Sequence, residues 1–317
     1  MRRIQNAIGS NYRVSDELWE RIKLLLPPQK PKKKSGRPRM DDRQAMDAIF
    51  YVLRTGCQWK ALPRVLGAPS TVHDRFQEWR RAGVFEKMWQ AGLMEYDARK
   101  GLDWEWQAMD GAITKAPLGG EATGHNPTDR GKRGTKRSLL TEGHGIPLAV
   151  SVAGANRHDM KLTEPTLEAI VTDRPEPTEE QPQNMSLDDY DEVRDILAKW
   201  GYTAHIRTRG EEIAQKERVP HYRARRWGVE RTHSWLNRFR RLLIRWEKKV
   251  KNYLAMLHFA CAWITFRAAE LFGQALNIWQ HNSPDVVSIQ IYQKQCRQVG
   301  NLPPARRISN LLYQLSF

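Results

Sequence analysis

Arg225-Arg226-Trp227-Gly228-Val229-Glu230-Arg231-Thr232-His233-Ser234-Trp235-Leu236-Asn237-Arg238-Phe239-Arg240-Arg241 sets one carboxylate inside a run of arginines. At helical spacing Trp235, Phe239, Leu242 and Trp246 form an apolar stripe, while Glu230, His233, Ser234, Asn237 and Arg241 form a separate polar one, so the segment is predicted to be one long helix. A carboxylate in such a basic field suits a divalent cation, with its neighbours holding phosphates. The same pattern also describes a solvated helix laced by i,i+4 ion pairs, and the segments before it decide between the two.

Working back from this helix, the chain alternates strands and helices. From residue 102 the pattern changes from helical to alternating, with Trp104, Trp106, Ala108 and Asp110 on one face of a predicted strand that ends in its acid. Residues 115–136, rich in Gly, Thr, Lys and Arg, read as a loop. Residues 138–141 and 146–153, joined by Gly143-His144-Gly145, predict a β-hairpin. A helix over 160–171, an exposed Pro/Glu-rich loop over 172–183, a strand over 184–187 ending in Asp188-Asp189, a helix over 190–200 and a strand around 203–207 complete the run. That order predicts an α/β unit, a mixed sheet flanked by helices.

Ahead of it the chain reads as all helical. Ser15-Asp16-Glu17 opens a helix with Leu18, Ile22 and Leu25 on one face, and Pro27-Pro28 stops it. Residues 30–39 form a basic linker in which Gly36-Arg37-Pro38-Arg39 has the make-up of an arm that enters the DNA minor groove, or of a plain solvated tether. A helix over 41–54 turns Met46, Ile49, Phe50 and Leu53 inward. Pro69-Ser70-Thr71 then opens another, in which Val72, Phe76 and Trp79 pack while His73, Arg75, Gln77 and Arg80 stay outside. The pair is helix-turn-helix-like, and its outer residues are of the types that reach base edges and phosphates. Phe85, Met88, Trp89 and Leu93 mark a closing helix.

Composition agrees with a polyanionic partner. The 317 residues carry 52 Lys+Arg against 36 Asp+Glu, a net charge of +16, with a pI of about 9.9. Between residues 205 and 251 fifteen basic residues face five acidic ones. Cys57, Cys261 and Cys296 are far apart, which indicates neither a disulfide framework nor a zinc site. The most apolar stretch, 254–266, is broken by His258 and too short to span a bilayer, and no signal-peptide pattern follows Met1. A cytoplasmic, nucleoid-associated protein without a membrane segment is expected.

Three acids stand out by position: Asp110, Asp188 and Glu230, at two predicted strand ends and on the helix after the last strand. Together they form a candidate site for two Mg²⁺ ions, with Mn²⁺ as a substitute, one activating an attacking hydroxyl and one stabilising the leaving oxygen of an in-line phosphoryl displacement. Each acid alone has an ordinary reading as a strand-end, turn or ion-pair residue; clustered without metal they repel one another, which is the mark of function.

Met109-Asp110-Gly111, Gly145-Ile146-Pro147-Leu148, Ala155-Asn156-Arg157-His158-Asp159, Gly201-Tyr202-Thr203-Ala204-His205-Ile206 and Val229-Glu230-Arg231-Thr232-His233-Ser234-Trp235 occur in an order that resembles bacterial DDE transposases of the insertion-sequence-five family, from about residue 15 to about residue 272. The resemblance implies a ribonuclease H-like catalytic domain over 100–273 with Asp110, Asp188 and Glu230 as its metal-binding catalytic triad. Before it, the resemblance implies a small all-α helix-turn-helix-like DNA-binding domain over 1–99. It implies cleavage at the element's ends followed by attack of the freed 3′-hydroxyl on target DNA, no covalent enzyme intermediate, and a homodimer or higher assembly on double-stranded DNA. Candidate DNA contacts are Arg37, Arg39, His73, Arg75 and Arg80 in the first domain, and Arg226, Arg231, Arg238 and Arg241 in the second. Arg226, four residues before Glu230, matches the arginine of the family's Tyr-x-x-Arg-x-x-x-Glu-x-x-x-x-x-x-Lys signature, whereas Arg223 stands at the tyrosine place and Asn237 at the lysine place.

The second acid departs further. Relatives read Leu-Asp-Lys-Gly-Tyr-Asp there, and this chain reads Leu187-Asp188-Asp189-Tyr190-Asp191. A turn shortened beside a ligand rotates it, leaving Asp189 as its stand-in or the site unassembled. Two alternatives stay open: a degenerate DNA-binding protein with inert acids, and a metal nuclease without strand transfer. Residues 274–317 form a tail with no recognised counterpart.

Overall fold

The computed structural model describes residues 9–29, 38–187, 191–205 and 226–269. Asp188, Asp189, Arg37, most of the basic linker and the whole 274–317 tail lie outside the described residues.

The N-terminal helices form where the caps and apolar spacing place them. α1 (Asp16–Ile22) starts at Ser15, whose hydroxyl accepts from the Leu18 amide at 3.3 Å, and α2 (Asp42–Thr55) starts at Asp41, whose carboxylate accepts from the Gln44 amide at 3.0 Å. α3 (Pro69–Arg81) opens on a proline and α4 (Val84–Lys100) follows after Gly83. Their inward faces, Phe50, Phe76, Phe85 and Trp89 among them, are buried. Arg75 departs from expectation. It is 4% exposed, paired with Asp42, bonded to the Met40 carbonyl at 3.2 Å and laid over Trp79 at 5.5 Å. A long side chain with an acid in reach buries its stem and satisfies its head, which spacing alone does not reveal.

The sheet comprises β1 (Trp106–Lys115), β2 (Gly124–His125), β3 (Arg133–Glu142), β4 (Pro147–Gly154), β5 (Gln183–Ser186) and β6 (Tyr202–His205). β1 lies between β3, antiparallel, and β5, parallel; β6 follows β5 in parallel; β4 and the short β2 pair with the outer edge of β3. An antiparallel three-strand meander extended by two parallel strands beside its first strand is the ribonuclease H-like arrangement. Helices α5 (Met160–Leu167) and α6 (Asp191–Lys199) fill the crossovers.

Three expectations are corrected. β1 starts after Trp104 and runs five residues past Asp110, so the acid sits mid-strand, opposite Leu139, rather than at an end. The expected loop over 115–136 contains β2 and the start of β3. The basic helix is not one long helix. α7 (Trp227–Asn237) stops, Phe239 turns extended at φ −88° and ψ 96°, and α8 (Arg240–Leu243) is a single turn. Neither Gly nor Pro breaks it. The Arg245 amide donates to the Lys115 carbonyl at 2.8 Å and Ile244 bridges to Lys115, so backbone pairing with the end of β1 redirects the chain.

α9 (Val250–Ala268) is the apolar stretch of the sequence and carries buried residues all round. Phe259 packs on Phe50 and Phe85 with ring centroids 5.6 and 5.3 Å apart, and Trp263 lies 4.6 Å from Phe50, joining the N-terminal helices to the same core as the sheet. No described helix is long and apolar enough to cross a membrane.

Candidate active site

Side chains alternate across a strand, and directly opposed residues share a face. Asp110 and Leu139, Ala112 and Arg137, and Thr114 and Thr135 therefore project from one side of the sheet, and Gly111 and Ser138, Ile113 and Lys136 from the other. The second side is packed by α5, through Lys136–Asp159 at 2.8 Å and Ser151–Thr166 at 2.7 Å. The first carries α7, and with it Glu230.

α7 is docked at several points. Its Gly228 lies against Gly145 in the β3–β4 turn, where Gly145 adopts φ +81° and any side chain would run into the Gly228 carbonyl. Thr232 donates its hydroxyl to the carbonyls of Gly145 and of Gly228, the latter at 3.0 Å. Arg231 donates to the His144 carbonyl, its guanidinium held between Trp227 and Trp235 at 4.1 and 4.6 Å. One turn past Glu230, the His233 Nε2–H donates to the backbone carbonyl of Asp110 at 3.3 Å and lies 3.8 Å from its carboxylate. One turn further, Asn237 accepts from Arg137 at 2.6 Å.

The electrostatics follow from burial. Desolvation, helped by the nearby Arg137 guanidinium, pushes His233 down to about 3, so the ring is neutral at physiological pH, with its proton on Nε2. Its Nδ1 is buried without a hydrogen-bond partner. Asp110 keeps about a third of its side chain exposed, and Glu230 is exposed in the first turn of α7. Asp110 and Glu230 are both carboxylates reachable from solvent, and oxygen ligands of this kind are what Mg²⁺ or Mn²⁺ prefers.

The predicted DNA contacts divide. Arg226 is half-buried beside the start of α7 and Arg238 is exposed just past its end. Arg241, expected on the polar stripe, is 5% exposed, bonded to Glu247 at 2.6 Å and to the Cys57 carbonyl at 3.0 Å. Arg39 donates to both Glu78 oxygens at 3.0 Å, His73 lies edge-on to Trp59, and Arg80 donates to Gln77, which itself reaches Asn252 at 3.2 Å. Arg137 was missed by sequence reasoning. It stands between Lys136 and Ser138, so nothing in its own strand singles it out, and only its cross-strand partners Ala112 and Val152 are apolar.

Among the described residues, the group of three candidate metal ligands whose ligand atoms lie within 4.8 Å of one another is Asp103, Glu142 and His144, which includes neither Asp110 nor Glu230. Glu142 there accepts from the Ile146 amide at 2.8 Å, the Asp103 amide at 3.2 Å and His144 Nδ1 at 3.1 Å, which accounts for it as a clamp on the β3–β4 turn.

Comparison with known proteins agrees with this architecture. Residues 14–89 match the family model "Putative transposase of IS4/5 family", and residues 106–265, half of the chain, match the model "Transposase DDE domain". The chain is 37% identical over 160 residues to a Burkholderia cepacia protein described as "Putative transposase for insertion sequence element IS402", covering 47% of this chain and 72% of that one. It is 32% identical over 103 residues to the uncharacterized protein y4sN of Sinorhizobium fredii, covering 32% of this chain and 76% of that one. Among solved structures, the Mos1 mariner paired-end complex with Mn aligns over 85% of this chain and 89% of its own, at 13% identity and a TM-score of 0.24, too low to bear on function. The two matched family models, the second over half of the chain, make this chain a member of the DDE transposases, with the N-terminal region of their IS4/5 group.

Proposed function

We propose that this DNA transposase binds the terminal inverted repeats of its element, cleaves the strand there and joins the freed 3′-hydroxyl to target DNA, with Asp110, Asp188 and Glu230 holding the divalent ions. The observation that carries this is the contact of His233 with Asp110, which fixes the helix bearing Glu230 against the central strand. Register supports Asp188: the last β1–β5 pair is Ala108 with Ser186, and Asp110 and Asp188 each follow two residues later in the sequence. Mg²⁺ bound there, two ions in the preferred reading, would activate the attacking hydroxyl and steady the leaving oxygen. The chain's own part is to hold the acids in place, with the His233 ring donating to the Asp110 carbonyl.

Residues 1–99 are assigned to binding the element ends through α2, α3 and the basic arm, with His73, Arg80, Arg37 and Arg39 toward DNA. Residues 100–273 are assigned to the chemistry, with Arg226, Arg231 and Arg238 near phosphate. Arg75 and Arg241, both buried, act by holding their helices. Two-ended chemistry calls for a dimer or higher assembly.

The test is Mg²⁺-dependent cleavage of terminal-repeat DNA. Asp110→Ala abolishes it while binding persists and keeps its steep dependence on salt; cleavage equal to the parent refutes the assignment. The departure of the Leu187-Asp188-Asp189-Tyr190-Asp191 sequence from its relatives favours a second reading, an inert DNA-binding copy. A folded parent protein that binds the repeats with salt dependence but cuts in neither Mg²⁺ nor Mn²⁺ selects that reading, and joining of precleaved ends separates a transposase from a simple nuclease.

A further inference from the structure

Arg137 projects from β3 abreast of Ala112, two residues along β1 from Asp110 and on the same face of the sheet. It is 1% exposed. Its Nη2 donates to Asn237 at 2.6 Å and to the His233 carbonyl at 3.4 Å, while Nε and Nη1 are buried with no hydrogen-bond partner. No carboxylate among the described residues pairs with it. Arg75 and Arg241, by contrast, are each buried against an acid. An uncompensated buried cation lowers stability, so a fold that keeps one draws something else from it. What Arg137 touches is α7, one and two turns beyond Glu230, at the residue whose ring holds Asp110 and at the residue that ends the helix.

We propose that Arg137 is a positioning residue that clamps α7 to the sheet in the register that stands Glu230 over Asp110, at some cost in fold stability. The proposal rests on Asp110 and Glu230 as metal ligands. It assigns Arg137 no contact with the DNA or the metal. It also gives Asn237 a task in this chain, since its side-chain oxygen accepts from the guanidinium as a lysine there does not.

The experiment is a Mn²⁺ titration of the full-length protein without DNA, read by the electron paramagnetic resonance of the free ion. It is paired with thermal unfolding in chelator, for the parent and for Arg137→Met, Arg137→Lys, Asn237→Leu and Glu230→Gln. Glu230→Gln is expected to remove the specific Mn²⁺ site. Arg137→Met is expected to weaken Mn²⁺ binding roughly tenfold or more, as supporting residues around metal ligands do, with a Tm equal to or above that of the parent. Arg137→Lys recovers part of the affinity, and Asn237→Leu weakens it in the same direction by less, which keeps the test open should Arg137→Met fail to fold. Parent-like affinity in folded Arg137→Met, with the site lost in Glu230→Gln, overturns the clamp and leaves the metal reading standing. Parent-like affinity in every variant, Glu230→Gln included, overturns both. A Tm lowered in Arg137→Met with affinity unchanged makes the arginine a structural residue only.

Discussion

Two buried arginines act on the same face of the sheet, two residues apart along β3, and they are treated in opposite ways. Arg245, fully buried, meets Thr135: it donates to the Thr135 hydroxyl at 2.9 Å, to the carbonyls of Glu121, Ala122 and Glu247 at 2.6, 3.0 and 3.0 Å, and lies over Tyr253 at 5.3 Å. Arg137 has one short bond and two orphaned nitrogens. The first is a knot that ties the loop before β2 and the approach to α9 onto the sheet. The second tolerates imperfect solvation beside the acids. Arg245 is satisfied within the fold, whereas Arg137 keeps its orphaned nitrogens abreast of Ala112, two residues along β1 from Asp110.

The largest effect that sharpens this contrast is expected at Arg245. Replacing it with Met leaves the Glu121 and Glu247 carbonyls without their donor, while Thr135 still bonds the Ala122 carbonyl at 2.8 Å, and chemical denaturation should show a loss of about 3–5 kcal/mol. An equal loss for Arg137→Met would erase the distinction.

Next in size is a pH effect from α9. Burial pushes His258 down to about 4 from its usual 6.5, so the folded protein holds it neutral where the unfolded chain binds a proton. Its contribution is complete above pH 6.5 and is lost as pH falls from there toward 4, by about 3 kcal/mol. Glu86, 3.8 Å from its ring and largely exposed, opposes that loss only weakly. His258→Phe should flatten this limb of the stability curve, and an unchanged slope would mean that the histidine is solvated. His233 adds a limb of the same sign reaching to about 3.

Smaller again is Gly111→Ala on β1. A methyl there points to the α5 face and meets the carboxylate of Asp159, so a cost of about 1–3 kcal/mol is expected, with partial rescue by Asp159→Ala. The rescue would show that the two faces of β1 are independent; its failure would mean that the strain reaches Asp110. The smallest effect is expected for Arg231→Lys. The lysine loses the flat stacking between Trp227 and Trp235 and should lower stability by about 1 kcal/mol in thermal unfolding.

What could be read from the sequence divides along physical lines. Ser15 announced its helix because a cap is a local interaction, and the hairpin of β3 and β4 showed through its alternation and its Gly143-His144-Gly145 turn. The early end of α7 did not show, because what bends the chain at Phe239 is the backbone pairing of residues 244 and 245 with Lys115, more than a hundred residues away in sequence. Asp110 and Glu230 stood out because an acid is conspicuous among apolar or basic neighbours. Arg75, Arg137 and Arg241 were assigned to the surface or passed over, because periodicity counts an arginine as exposed unless its acceptor is known, and those acceptors come from other elements. His233 was placed on the stripe with Glu230, yet only the fold supplies the carbonyl that it holds.

The docking of α7 is expected to let Glu230 and Asp110 share a divalent ion. The most direct measurement is the anomalous scattering of Mn²⁺ in crystals of the protein with its terminal-repeat DNA. The expected result is an ion bound by carboxylate oxygens of both Asp110 and Glu230 at about 2.0–2.3 Å. Mn²⁺ bound at Asp103, Glu142 and His144 instead, with Asp110 and Glu230 turned apart, would contradict it.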